Sequence, residues 1–241
     1  MSTEKKKLSS TSRRRSGDID PVVPEDGRRS RGRPKLMSDA EQTLIIARQA
    51  HNLFLEKGYG RTTMDDIVAR CRISKSTLYR LFANKIEVFG AVIDSHRLSM
   101  LALPGDYDDL PIDEAIGRIF QVDIDDEADQ RRIALIRFVI VEVMEFPEIG
   151  QLLHERGVER SRLELAKWLE AQKIAARIDI PDAYDAARTL MDLMFGAIIS
   201  TRPPGVVLQW PQREERLRYL HSCIGLITRG ILPRHIILPD S

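Results

Sequence analysis

Four capping residues at the heads of four amphipathic runs constrain this chain more than any other feature. Ser38-Asp39-Ala40-Glu41 is a capping box: the Ser38 hydroxyl can accept from the Glu41 amide while the Glu41 carboxylate reaches back. Apolar residues then recur at Ile46, Ala50, Leu53 and Phe54, and Gly58 closes the first helix. Thr63 caps a short second helix carrying Met64, Ile67 and Val68. Ser74 caps a third whose apolar face is Leu78, Leu81 and Phe82, and Asn84-Lys85 leads into a fourth. On that fourth helix Ile86, Phe89, Ile93 and Leu98 are expected to face inward.

Pro104-Gly105 and the acidic run up to Pro111 form the first clear break. Helical patterning then resumes in segments near 111–124, 127–146, 147–173, 181–201 and 211–231. The stretch from Ile133 to Met144 is rich in β-branched residues, but its length, Arg137, Glu142 and the lack of βαβ alternation predict a buried helix. The predicted class is all-α, with residues 1–36 as a disordered basic arm, 38–100 as a first domain and 101–241 as a second.

Composition sharpens this division. The 241 residues carry a net charge of only +1, yet the charge is unevenly spread. Residues 1–35 hold 11 Lys/Arg against 5 Asp/Glu, residues 36–100 hold 9 against 7, and the remainder holds 17 against 24. A basic front and an acidic back predict that one end meets a polyanion and the other does not. The arm, rich in Ser, Arg, Lys, Pro and Gly, has too little apolar surface to offset its ordering entropy. Its basic start is followed by no apolar stretch of the kind a signal peptide carries, so none is expected. The longest apolar run is short and broken by Arg137, which argues against a membrane span. Two cysteines, Cys71 and Cys223, supply neither a disulfide framework nor a zinc module and fit a cytoplasmic protein.

Helices two and three, joined tightly around Arg72-Ile73, form a helix–turn–helix over about 62–81. The first helix braces the second, which is placed to enter a major groove. Ser74, Lys75, Ser76 and Thr77 occupy the first turn of that second helix, where side chains and unpaired amides meet phosphates and base edges. Lys75 can donate to guanine acceptors or a phosphate, Ser76 and Thr77 suit either base type, and Tyr79 and Arg80 follow one turn on. The competing reading is an ordinary helical hairpin whose Ser and Thr only cap helices.

Thr63-Met64-Asp65-Asp66-Ile67-Val68-Ala69, then Ile73-Ser74-Lys75-Ser76-Thr77-Leu78-Tyr79-Arg80-Leu81-Phe82, then Asn84-Lys85, resembles the DNA-binding domain of TetR-type bacterial regulators. The resemblance covers about residues 38–100. It implies a three-helix headpiece with Thr63, Lys75, Ser76, Thr77, Tyr79 and Lys85 at or near DNA, Tyr79 and the Lys85 helix start holding phosphates. Three features depart from the family pattern: Cys71-Arg72 stands where Ala-Gly is usual, Ser76 for a frequent glycine, and Leu81 for a frequent histidine. The first bears on the turn, the others on which bases are read.

Arg31-Gly32-Arg33-Pro34 is similar to the core of an AT-hook, in which Arg31 and Arg33 would lie along a narrow A·T minor groove. The alternative is a solvated, solubilising tail. For the second domain the resemblance implies a small-molecule pocket and a homodimer through the last two long helices, whose faces here are Leu190, Leu193, Met194, Ala197 and Ile198, then Leu217, Leu220, Ile224, Ile227 and Ile231, residues that must also partly be the chain's own core. Phe146-Pro147-Glu148-Ile149-Gly150 followed by His154-Glu155-Arg156-Gly157 resembles the C-terminal domain of AefR-like members. Expected effector-pocket residues are Phe120, Phe138, Met144, Trp168, Met191, Met194 and Phe195, with Arg137 and His154 as polar contacts, although apolar stripes at helical spacing more often pack as core. An enzyme is not expected. His154-Glu155 begins like a zinc-protease motif, but Val158 takes the second histidine's place, and no metal, cofactor or catalytic constellation is in view. A ligand-responsive repressor, binding a palindromic double-stranded operator and released by an effector, is therefore expected, with the fourth helix transmitting the change. An architectural DNA-binding protein is the rival.

Overall fold

The computed structural model describes residues 37–199, 201–202, 206–207 and 212–231. The caps fall where the sequence places them. Ser38 and Glu41 form the reciprocal box at the head of α1 (Asp39–Lys57), and Gly58 ends it at φ 80°, a conformation that costs glycine nothing. Thr63 and Asp66 form a second box on α2 (Met64–Cys71), Ser74 caps α3 (Lys75–Leu81), and Asn84 caps α4 (Lys85–Met100). Leu98 departs from its expected place, being 55% exposed. Burial on α4 instead runs without a gap from Val88 to Ile93, because α1 packs on one side of the helix and later elements on the other.

Beyond a loop, α5 (Ile112–Ile119) ends earlier than expected, at a turn where Gln121 takes φ 51°. Then come α6 (Asp126–Glu145), α7 (Pro147–Leu152), a π-helical turn over Leu153–Glu159, α8 (Arg160–Ile174), α9 (Ala183–Ile199) and α10 (Arg213–Ile231). The stretch Ile133–Met144 is helical as predicted, but only one face is buried, with Val141 and Met144 left outside. The expected helix 147–173 is broken in register by the π turn, a feature that recurs at functional sites. Between α9 and α10, Thr201–Arg202 pairs antiparallel with Val206–Val207.

The apolar residues gather in two clusters that do not divide at residue 100. One joins α1 through α4 with Leu135 and Val139 of α6 and Ile149 of α7. The other holds Leu101, Leu103 and the inner faces of α5, α8, α9 and α10. Helices α6 and α7 thus belong to the headpiece core, although they lie well beyond it in sequence. The start of α6 is tied to α10 through a buried carboxylate: Asp129 accepts from Arg132 at 2.9 Å and from Arg216. Arg132 also donates to the Phe120 carbonyl at 3.0 Å, so the desolvated charges are paired or hydrogen-bonded.

Candidate functional site

The turn between α2 and α3 is made by a residue that resists it. Arg72 takes a left-handed conformation (φ 53°, ψ 43°), its amide donates to Ala69, and the Ile73 amide returns to the Val68 carbonyl. This is the helix-ending motif usually given to glycine, so the Cys71-Arg72 departure keeps the turn geometry at a conformational cost. Ser74 then starts α3 by accepting from the Thr77 amide at 3.0 Å, and its hydroxyl lies 2.8 Å from those of both Ser76 and Thr77. Lys75 projects outward and pairs with Asp65 of α2 at 2.8 Å, a contact that favours its charged form. Tyr79 is 51% exposed on the same side.

Three other expected DNA contacts have their side chains engaged within the protein. The Thr63 hydroxyl is bound to Asp66, whose carboxyl is held far below its ordinary range, chiefly by Lys57 at 2.7 Å and then by Thr63. Arg80 reaches back to Asp39 at 2.7 Å and to Gln42 at 3.2 Å on α1. Lys85 donates to the Tyr59 and Gly60 carbonyls at 2.6 and 3.3 Å and sits 4.1 Å from the centre of the Tyr59 ring. Its side chain braces the α1–α2 turn, and partial burial lowers its pKa. Arg31 and Arg33 lie outside the described residues.

A cavity of about 440 Å³ opens between α4, α6, the π turn, α8 and α9. Its walls are mainly apolar, and α4 contributes Phe89, Val92, Ile93, His96, Arg97 and Met100. Of the residues expected to form an effector pocket, Met191 and Phe195 line it. Phe120 and Met194 border a separate void of about 10 Å³. Phe138 packs toward Phe89 in the headpiece core, and Trp168 lies in the second core. Met144 is 85% exposed and His154 is exposed on the π turn, so neither reaches the cavity. Arg137 is half-buried on α6 and does not line it either. The periodicity that singled out these residues marks an inward face, and most inward faces meet core rather than space. The signal that points to the cavity lies on α4, where an apolar stretch wider than one stripe requires partners on both sides.

The remaining connections were invisible to sequence patterning because they join distant positions. Glu142 accepts from the Tyr59 amide at 3.0 Å, and Phe146 packs edge-on against Tyr59 with ring centres 5.2 Å apart. Arg156 of the π turn pairs with Glu87 at 2.8 Å and with Asp94 at 3.5 Å, clasping α4. His96 meets His51 of α1 at 3.1 Å between ring nitrogens, linking the cavity wall to the headpiece. Among the described residues no cluster of three or more His, Cys, Asp or Glu side chains can hold a metal, and no helix is long and apolar enough to cross a membrane.

Comparison with known proteins accords with this arrangement. Residues 46–92 match the bacterial regulatory proteins of the tetR family, and residues 125–229 match the C-terminal domain of AefR-like transcriptional repressors. An uncharacterized HTH-type transcriptional regulator of Mycobacterium tuberculosis is 30% identical over 156 residues, covering 63% of this chain and 74% of that protein. Among solved structures, Salmonella enterica GusR is 20% identical with a TM-score of 0.60, covering 82% of this chain and 98% of that one. A TetR-family regulator from Mesorhizobium loti is 21% identical with a TM-score of 0.58, covering 82% and 100%. The matched families and the Mycobacterium tuberculosis relative are regulators of transcription, not enzymes, and both matched regions lie on the helices that form the turn and the cavity. The chain belongs to the TetR family of bacterial transcriptional regulators.

Proposed function

We propose that this regulator is a ligand-responsive repressor that binds a palindromic operator as a homodimer in the cytoplasm and leaves it when a small molecule fills the cavity. The observation that carries the reading is the span of α4. Its first residue holds the α1–α2 turn through Lys85, while Val92, Ile93, His96, Arg97 and Met100 form cavity wall. A ligand that favours a different α4 position shifts the population away from the DNA-binding form, and DNA disfavours the ligand by the same factor. An architectural protein has no need of such a cavity.

Lys75, Ser76, Thr77 and Tyr79 are the proposed groove and phosphate contacts, with the amides at the start of α4 for a flanking phosphate. In a dimer through α9 and α10, the partner would meet outward residues such as Tyr219 and Leu226, the latter 63% exposed. Leu190, Met194, Ala197, Leu220 and Ile224, expected on that face, are instead buried in the chain's own core. The arm with Arg31 and Arg33 is proposed to add minor-groove attraction beside the operator.

The test begins with selection of genomic fragments by the purified protein and footprinting of the bound site. A twofold-symmetric footprint and a dimer in sedimentation are expected, together with release of the fragment by compounds that occupy the cavity. An asymmetric footprint from a monomer, or fragments retained when the cavity is occupied, would overturn the reading.

A further inference from the structure

We propose that the cavity takes a neutral, largely apolar molecule bearing hydroxyl or carbonyl groups, and discriminates against organic anions. This assignment rests on the reading of the cavity as the effector site and adds the chemistry of its occupant. The volume of about 440 Å³ suits a small molecule, and residues such as Phe89, Val92, Leu135, Val139 and Phe195 offer it an apolar bed.

The polar groups in the wall decide the charge. Arg162 of α8 is a cation in the wall, but it is already matched. Its Nη1 donates to Glu159 at 2.8 Å and to the Tyr184 hydroxyl at 3.0 Å, and Asp192 stands in the same wall and favours the charged guanidinium. Arg97 turns one Nη1 donor to the Leu103 carbonyl at 3.2 Å, beyond the end of α4. Burial beside His51 lowers the pKa of His96 and so favours its neutral form. A carboxylate entering beside Arg162 would shed its water to meet a guanidinium already paired with Glu159 and flanked by Asp192. That desolvation is expensive when the charge it meets is already paired.

A neutral hydroxyl or carbonyl loses far less hydration and finds complementary partners. Arg162 Nε is buried with no hydrogen-bond partner, so it presents an unused donor. The buried Ser161 hydroxyl can donate or accept, and His96, whose Nε2 meets His51, keeps its Nδ1 for one further hydrogen bond. A hydroxyl, which both donates and accepts, uses this mixed set better than a carboxylate, which only accepts.

The experiment uses two fluorescent probes with one framework, neutral N-phenyl-1-naphthylamine and its sulfonate, 8-anilinonaphthalene-1-sulfonate, titrated into the full-length protein at pH 7.5. The neutral probe is expected to bind at least about tenfold more tightly. Ile136→Trp and Met191→Trp, each filling the cavity from a different helix, should abolish its binding, with helicity by circular dichroism identifying the variant that remains folded. Asp192→Asn, at an exposed position, should narrow the gap between probes several-fold by removing one of the opposing carboxylates. If the sulfonate binds as tightly as the neutral probe and both respond to the tryptophans, the charge assignment falls while the cavity remains a ligand site. A gap unchanged in Asp192→Asn overturns the charge argument as well. If no binding responds to a folded tryptophan variant, the effector-site reading itself falls.

Discussion

Arg156 lies across Gly90, so close that a Cβ at position 90 would meet its guanidinium at 2.6 Å. The absent side chain lets the π turn lie against α4, with Arg156 reaching Glu87 on one side and Asp94 on the other. Leu153, Gly157 and Val158 of the same turn line the cavity, so one segment touches both the cavity and the helix that leads to the headpiece. Both ion pairs are partly exposed and contribute little to stability, under about 1 kcal/mol. Arg156→Ala should therefore leave the denaturation midpoint nearly unchanged while cutting the effect of the neutral probe on DNA affinity several-fold. Gly90→Ala should do the same by displacing the arginine. Fluorescence anisotropy of a bound genomic fragment, with and without probe, measures both.

A second joint fixes the α1–α2 turn to α6. The Tyr59 amide is satisfied by Glu142, whose side chain is buried, and Lys85 holds the carbonyl side of the same turn. Glu142→Ala leaves a buried N–H without an acceptor, which costs about 1–3 kcal/mol. Glu142→Gln keeps an acceptor and should cost less. Urea denaturation of the two variants orders them.

Arg72 performs a glycine's task at the end of α2. The left-handed conformation costs a side-chain-bearing residue about 1–2 kcal/mol, part of which glycine returns through its freer unfolded chain. Arg72→Gly should raise stability by about 1 kcal/mol while preserving the turn. A fall in the thermal midpoint would show that the arginine side chain contributes more than its backbone strain removes.

The linked imidazoles predict a pH dependence of definite sign. Burial, and then His96, holds His51 down to about 4 from its ordinary 6.5, and burial lowers His96 too. Between those values the unfolded chain binds protons that the folded protein refuses. Stability is therefore complete above pH 6.5 and declines as pH falls toward 4. Asp66, Asp125 and Glu41, held below the ordinary carboxylate range, lose their contributions only at lower pH. Urea midpoints at pH 7.5 and 5.0 should differ in the native protein, and the difference should narrow in His51→Gln, with His96 retaining its own share.

At the DNA-facing turn, Lys75→Ala should weaken binding and reduce the salt-dependence slope by about 1 if the lysine meets a phosphate. If it reads a base edge, the loss should fall mainly on one position of the site. Tyr79→Ala should weaken all sequences alike. Because Asp65 holds Lys75 in the free protein, Asp65→Asn should tighten binding at low salt. Competition titrations over a set of single-base variants separate these outcomes.

The chain's local order was legible because its causes are local. Ser38, Thr63, Ser74 and Asn84 each cap an amide three residues away, and the apolar stripes that follow repeat within a few turns. The helix–turn–helix and its outward residues Lys75, Ser76, Thr77 and Tyr79 follow from those short spacings, as does the all-helical class. What each inward side chain meets is decided over much longer distances. Leu98 and Met144 carry the right residue type and periodicity yet face solvent, whereas α4 becomes a cavity wall because α6, α8 and α9 approach it without filling the space. Arg80 and Lys85, expected at DNA, are held in the free protein by a carboxylate of α1 and by carbonyls of the α1–α2 turn that folding brings near. The Glu142–Tyr59 and Arg156–Glu87 joints connect residues 83 and 69 positions apart, and no periodicity encodes such pairs. Sequence alone determined the helices and the helix–turn–helix; tertiary packing decided the cavity and the contacts that join its walls to the headpiece, because a void and its neighbours are properties of surfaces that meet only once the chain is folded.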